Sequence, residues 1–398
     1  MYMNSVKNFV PKVALGLALL FISAPHQASA METAAWVPWF SGANGTKTAI
    51  KNIDKIDVVY LFVYEVNADG TLKNRVNFED KKWKDLIKAA KDNHTKVIPT
   101  VAWFDGYNID QTLSSPDKRA AHVALIAQMV KDNGFDGVNI DYEQKDKKTK
   151  DSFSDFLKEL NEKLEDKALT CALEARTPAD SLYKVVPEKI EYSNDYKTIN
   201  KYCDWVEIMA YDQQRADLKL NDSRKGVPYM PVADKDWVKK VIEVAIQDID
   251  RDKIFLGVPT YGRAWDVSVA PEWYRDYTKV ASLNQPRILE LSKKYKAKIG
   301  RTAGGEAVIS YIPEDSIYKK KLAKVKVPKG TPAGFEAAAK ALKYATDREE
   351  EVQARFVTWS DALAIKDKMN LVDKYHLKGT AIFKVDGEED QKIWKLIK

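Results

Sequence analysis

The chain is poor in the residues that metal and thiol chemistry depend on. Its 398 residues include four histidines and two cysteines. His26 sits near the start, while His94, His122 and His376 lie far apart, with no H-E-x-x-H and no Cys/His cluster. The ligand spacings of a zinc hydrolase are therefore missing, and no metal or cofactor is expected. Two cysteines cannot make a disulfide framework. Cys171 and Cys203 fall in apolar, strand-like runs and read as buried reduced thiols, although an oxidising compartment would permit a bond between them. Charge of one sign is also lacking: 64 Lys and Arg against 58 Asp and Glu leave a net +6. That balance is too weak and too mixed for a nucleic-acid footprint. It would tolerate an anionic cell wall as a partner without demanding one.

Long hydrophobic runs are confined to the beginning. Lys7 and Lys12 flank the start of an apolar run at 13–22, and Ala28-Ser29-Ala30 offers the small residues that a signal peptidase reads. The run is shorter than the roughly 20 residues that span a bilayer. Residues 1–30 are therefore expected to be a signal peptide, giving a secreted product with no membrane span after cleavage. The remainder, 31–398, is hydrophobic enough for a sizeable core, the whole chain being 45% apolar. It shows no internal repeat, no low-complexity linker and no separate wall-binding module, and a monomer is expected.

What is present is an alternation of short β-rich runs with longer helical patterns, the mark of parallel βα units. The runs are 34–40, 58–66, 96–104, 137–143, 169–174, 205–211, 254–261 and 379–385. Eight such runs are what a closed (β/α)8 barrel of the α/β class requires. Stretches 83–92, 118–133, 151–164 and 235–249 carry apolar residues at three- and four-residue spacing, as amphipathic helices do. The seventh and eighth runs are unusually far apart. Strand patterns at 308–312 and 355–359 and a helical one at 334–346 lie between them. Residues 266–356 are read as a small α+β insertion.

The fourth run carries the chemistry: Phe135-Asp136-Gly137-Val138-Asn139-Ile140-Asp141-Tyr142-Glu143. Side chains alternate along a strand, so Asn139, Asp141 and Glu143 share one face and Val138, Ile140 and Tyr142 the other. Polar groups facing a barrel interior are expensive unless hydrogen-bonded or working. Glu143 comes last, at the carboxyl end, where barrel enzymes place their reactive groups. Two carboxyls so close cannot both ionise freely, and one raised pKa is what a general acid needs near neutral pH. A solvated acidic strand end, or a D-x-D pair holding a cation, would share the local pattern. No second acidic cluster supplies the remaining oxygen ligands for a cation. Tyr64 and Glu65 on the second run and Trp103 on the third are further cleft candidates.

The segment resembles the D-x-x-D-x-D-x-E motif of glycoside hydrolase family 18, the chitinase family, through Asp136, Asp141 and Glu143. Asn139 stands where the middle Asp is usual. Met209-Ala210-Tyr211-Asp212 is similar to the family's M-x-Y-D. Gly257-Val258-Pro259-Thr260-Tyr261-Gly262-Arg263-Ala264-Trp265 resembles its seventh-strand segment. The Asn139 variant, Trp359-Ser360-Asp361 and residues 374–390 look most like the spore-cortex and germination branch, whose members cut glycans rich in N-acetylglucosamine.

The resemblance implies a retaining, substrate-assisted glycosidase, an exception to the two-carboxylate scheme. Glu143 would be the acid and then the base, Asp141 would orient the 2-acetamido group, and Tyr211 would hydrogen-bond it. Asp212, Met209, Tyr261, Arg263 and Asn139 would belong to the sugar site. Phe383 stands where the family usually has Trp, as an apolar floor under the sugar. Asn139 can hydrogen-bond Asp141 but cannot repel it, which implies a shifted pH profile rather than inactivity. The expected partner is a polysaccharide or oligosaccharide containing N-acetylglucosamine. Bacterial wall glycan is favoured over chitin, and N-glycan cores carry the same group. A chitooligosaccharide hydrolase, or a weakly active lectin-like relative that only binds glycan, is the alternative.

Overall fold

Strands buried on both faces read as near-continuous apolar runs, and the sequence Val-Val-Tyr-Leu-Phe-Val-Tyr of residues 58–64 is such a run. The computed structural model describes Met1 and residues 31–397. The expected signal segment, 2–30, lies outside the described residues. The first eight strands are β1 (Glu32–Pro38), β2 (Val58–Val66), β3 (Leu72–Asn74), β4 (Lys96–Trp103), β5 (Gly137–Tyr142), β6 (Ala168–Glu174), β7 (Trp205–Met209) and β8 (Ile254–Pro259). Five more follow: β9 (Tyr261–Ala270), β10 (Trp273–Asn284), β11 (Gly300–Arg301), β12 (Ala307–Tyr311) and β13 (Val352–Trp359). The last is β14 (Gly379–Phe383).

Eight of these strands close into a parallel barrel in the order β1-β14-β8-β7-β6-β5-β4-β2, with β1 pairing back onto β2. The short β3 hairpins antiparallel onto β2. Six expected runs overshoot their strands at the carboxyl end, 34–40, 205–211, 254–261 and 379–385 by two residues and 96–104 and 137–143 by one. There the chain leaves the ladder: Trp39–Ser41 forms a 3-10 turn, and the residues after Met209 turn out of the sheet. Of the residues that follow the strands, Phe104, Glu143, Tyr211 and Asp212 line the cleft.

Helices cover the outside because each presents one apolar stripe. In Lys150–Leu164 the buried positions are Phe153, Phe156, Leu157, Leu160 and Leu164. The helix Pro116–Asn133 opens on Pro116 and ends at Gly134, whose φ of 60° supplies the left-handed cap. One apolar core fills the space between barrel and helices, and a second fills the barrel itself, around Trp36, Tyr60, Phe62, Trp205 and Phe255. No helix among the described residues is long and apolar enough to cross a membrane.

Between β8 and β14 the chain forms a second sheet, antiparallel, in the order β10-β9-β13-β12-β11. It runs from Tyr261 to Trp359, wider than 266–356, and the helix Glu336–Arg348 packs against it through Ala338, Ala341 and Ala345. The long β9–β10 hairpin escaped the sequence reading because β10 is largely exposed and lacks an apolar stripe.

The two cysteines are a correction. Cys171 on β6 and Cys203, just before β7, form a disulfide and not two reduced thiols. Neighbouring parallel strands bring two outward positions, 32 residues apart, to a Cα–Cα distance of 6.3 Å, within bonding range. Closing a loop of that length is worth about 3–4 kcal/mol in the chain-entropy account. The Cys171→Ala, Cys203→Ala variant should therefore unfold at lower denaturant than the oxidised wild type, and the wild type should lose stability on reduction. Unfolding curves that do not change with reductant would contradict this.

Candidate active site

The alternation along β5 places Asn139 and Asp141 inside the barrel, while Val138, Ile140 and Tyr142 join the outer core. Asn139 is fully buried, and its contacts run sideways and not toward Asp141. Its Nδ2 donates to Thr170 Oγ1 at 2.8 Å and Glu207 Oε2 at 2.7 Å, and its Oδ1 accepts from Thr100 Oγ1 at 2.9 Å. Thr100 in turn accepts from Trp36 Nε1 at 3.1 Å. The Glu207 carboxylate also accepts from Tyr60, whose hydroxyl accepts from Trp205 Nε1 at 2.6 Å. This layer seals the barrel below the cleft. Burial holds the Glu207 carboxyl well above the usual range, against the hydrogen bonds from Tyr60 and Asn139. Asn139 thus lies beneath the cleft and does not line it.

Above that layer is a cavity of about 260 Å³, lined by Asp141, Glu143, Glu174, Tyr211, Asp212, Met209 and Phe383, with Trp36, Phe62, Phe104, Ala172 and Ala175 completing it. Phe383 is its aromatic centre. Tyr211 stacks on it at 5.5 Å and 17°, and Trp36, Phe62 and Tyr261 meet it edge-on at 5.8–6.3 Å. The Phe383–Lys384 peptide is cis.

Four carboxyls, Asp141, Glu143, Glu174 and Asp212, line this cavity, and burial raises the first two. The Glu143 carboxyl is pushed from 4.5 up to about 7, first by burial and then by Glu174, with Asp212 adding and Lys145 opposing. Asp141 is raised well above its ordinary value, by burial and then by Glu143 and Glu174. Its Oδ1 is buried with no hydrogen-bond partner among the described residues. Burial also holds Lys145 below the ordinary lysine range, and its ammonium lies 3.9 Å from Glu174 and over the Phe153 ring at 4.6 Å. Glu174 and Lys145 were not singled out in the sequence. Glu174 ends an expected strand run, as Glu143 does, and that position was the available signal.

Asp212 is fixed from outside the barrel. It adopts a left-handed φ of 54°, accepts from Tyr261 Oη at 3.0 Å, and is gripped by the Arg263 guanidinium at 2.7–3.0 Å. Tyr261 and Arg263 stand behind Asp212 and do not line the cavity. Tyr64, Glu65 and Trp103 are not brought to it either. Phe62 keeps the inward alternation of Val58 and Tyr60, and a register shift in β2 between Phe62 and Tyr64 leaves Tyr64 against Phe78 in the outer core. Glu65 pairs with Arg75 at 3.5 Å, and Trp103 is buried against His122 and Tyr142.

A carboxyl poised to donate a proton, set in an aromatic-floored cleft at the carboxyl end of a parallel barrel, is the equipment of a barrel glycosidase. The chain belongs to the glycosyl hydrolases family 18, whose description matches residues 35–388. It is 27% identical to the glycosylase YdhD of Bacillus subtilis (strain 168) over 254 residues, covering 62% of this chain and 54% of that one, so it spans about half that relative's length. In structure it is similar to the spore cortex-lytic enzyme SleL of Bacillus cereus, with a TM-score of 0.67 and 18% identity over 92% of this chain and 74% of that one. It is also similar to a class V chitinase from Pseudomonas fluorescens Pf-5, with a TM-score of 0.68 and 21% identity over 92% and 98%. At these identities the structural likeness is one of fold.

Two outcomes follow for this site. A Cβ on Gly257 would stand 2.5 Å from the Ile208 carbonyl oxygen and 3.0 Å from Tyr211 Cε1. Gly257→Ala should therefore displace Tyr211 and lower kcat roughly tenfold or more with the fold retained; an unchanged kcat would show that Tyr211 needs no such closeness. Glu143 also links activity to stability. Its folded value of about 7 exceeds 4.5, so as pH rises the unfolded chain releases this proton first. Wild type should then lose stability, relative to Glu143→Gln, as pH climbs through that window. Parallel melting curves that do not diverge with pH would contradict it.

Proposed function

We propose that this family 18 glycosidase is an exported enzyme that cleaves β-1,4 bonds next to N-acetylglucosamine-type sugars by a retaining, substrate-assisted reaction. The observation that carries the reading is Asp141 Oδ1, a buried acceptor without a donor in the same cavity as Glu143. A buried acceptor left unpaired is costly, and an acetamido N–H entering the cleft would satisfy it. Glu143, protonated up to about pH 7, gives its proton to the leaving glycosidic oxygen. The acetamido oxygen of the same sugar forms a bond to the anomeric carbon as the glycosidic C–O bond breaks. The product is an oxazolinium ion, whose new positive charge balances the carboxylate left on Glu143. Asp141 aligns the N–H and opposes that positive charge. Burial keeps the Tyr211 hydroxyl protonated, so it can donate to the acetamido oxygen. Glu143, now ionised, takes a proton from the water that opens the ring, and the anomeric configuration is restored. Phe383 supplies the apolar face beneath the sugar. Asp212 is a further sugar contact, held by Tyr261 and Arg263. Bacterial wall glycan is the favoured substrate, in keeping with the spore cortex-lytic neighbour in fold.

The test is product analysis on chitooligosaccharides and on purified peptidoglycan. Wild type should cleave with retention, independently of EDTA, and should fail on substrates whose acetamido group has been removed. Glu143→Gln should lose about 10²–10⁴ in rate. Undiminished cleavage by that variant removes Glu143 from its role, and no cleavage of any glycan by wild type leaves a binding protein.

A further inference from the structure

Beside the catalytic cleft lies a second cavity of about 250 Å³ that shares Glu174 and Ala175 with it. The shared wall sets the two cavities side by side. The second is built differently. Its cation is Arg176, whose guanidinium lies between the rings of Tyr192 at 3.6 Å and Tyr196 at 4.0 Å. Nη2 donates to the Asn194 carbonyl at 2.8 Å. Among the described residues no carboxylate lies within ion-pair distance of it, which distinguishes it from Arg119, Arg224, Arg263 and Arg355, all paired with acids. A guanidinium stacked on two rings has already lost much of its rotamer freedom, and among the described residues only the Asn194 carbonyl accepts from its edge.

Asn194 carries the second, independent observation. It is 6% exposed and lines the cavity. Its Nδ2 donates to Glu174 Oε2 at 2.9 Å, and a carboxylate can only accept from it, which fixes the orientation of the amide. Its Oδ1 then points away from Glu174 and is buried with no partner. The wall also holds Trp237, whose Nε1 is buried and unpaired. Trp83, Trp265 and Trp359 have unpaired indoles too, so the weight rests on Asn194 and Arg176. Glu174 at the shared wall is occupied by the Asn194 amide, the Gln144 N–H at 3.2 Å and Lys145.

A free, pre-ordered guanidinium beside an unpaired amide acceptor matches one chemistry: a chain bearing both a carboxylate and an N–H donor. The geometry points to the Arg176–Asn194 cavity as a specificity pocket for an acidic, amide-bearing substituent on the sugar next to the cleavage point. On a wall glycan the 3-O-lactyl group supplies the carboxylate alone when free, and its stem peptide supplies both a carboxylate and N–H donors. Chitin carries neither. This assignment rests on the proposed reading of the neighbouring cleft as a glycan site.

The test measures binding in the Glu143→Gln background, so that no substrate is consumed, with three probes: a chitooligosaccharide, a glycan fragment of the same length with free lactyl carboxylates, and one bearing stem peptides. The acidic probes should bind more tightly than the chitooligosaccharide. Arg176→Gln should reduce that preference about tenfold or more, as expected for loss of a charge-assisted contact. Arg176→Lys, which keeps the charge and the stem, should restore part of it. Preference for the peptide-bearing probe over the lactyl probe would place the peptide N–H against Asn194, and Asn194→Ala should erase that difference. Affinities for all three probes falling together in Arg176→Gln, or no preference in the starting protein, would overturn the assignment. Cleavage of peptidoglycan by wild type without this preference would leave the hydrolase reading standing and remove the pocket. Preference without cleavage of any glycan would do the reverse.

Discussion

A closed eight-stranded barrel has one interior, and every group that points into it must be packed or hydrogen-bonded. This constraint organises the molecule. Below the cleft it is met by aromatic bulk and by one polar layer, in which the amide of Asn139 joins three neighbouring strands through Thr100, Thr170 and Glu207. Tyr60 on β2 and Trp205, on the same strand as Glu207, complete the layer. Asn139 replaces a carboxylate by an amide at the one place where a second acid, Glu207, already stands within hydrogen-bonding distance. An amide can donate to that acid, and a carboxylate could not.

Above the layer the rule is relaxed, and chemistry begins where hydrogen bonding ends. Asp141 is buried but its Oδ1 is unpaired, and Glu143 is shielded enough to keep its proton near neutrality. The aromatic ring around Phe383 does not change these groups directly. It keeps water from them, and that exclusion, more than the mutual repulsion of the acids, comes first among the causes of both shifts.

Most of the barrel was legible because period-two alternation and apolar runs follow directly from parallel strands buried on both faces. The motif strand was legible for the same reason. What failed to show was non-local. Trp103 and Tyr64 are aromatics at strand ends, as a cleft residue would be, yet one faces His122 and the other is turned outward by a register shift in β2 that no local pattern announces. Glu174 acts on Glu143 across a strand boundary, and the pairing of β5 with β6 brings it there, not its spacing in the chain. The cysteines were misjudged for a related reason. Each looks like an ordinary outward apolar position until the pairing of β6 with β7 sets them side by side.

Asp212 closes the account of the charges at the cleft. It belongs to the segment that leaves the barrel after β7, but both of its anchors, Tyr261 and Arg263, are residues of the second sheet. It is also one of the charges that hold Glu143 high. The accessory sheet therefore holds in place a charge that adds to the larger effects of burial and Glu174 on how readily the acid parts with its proton. A barrel stripped of that sheet would lose more than surface for a longer glycan. It would release a tethered negative charge, and the working pH of the enzyme would move with it.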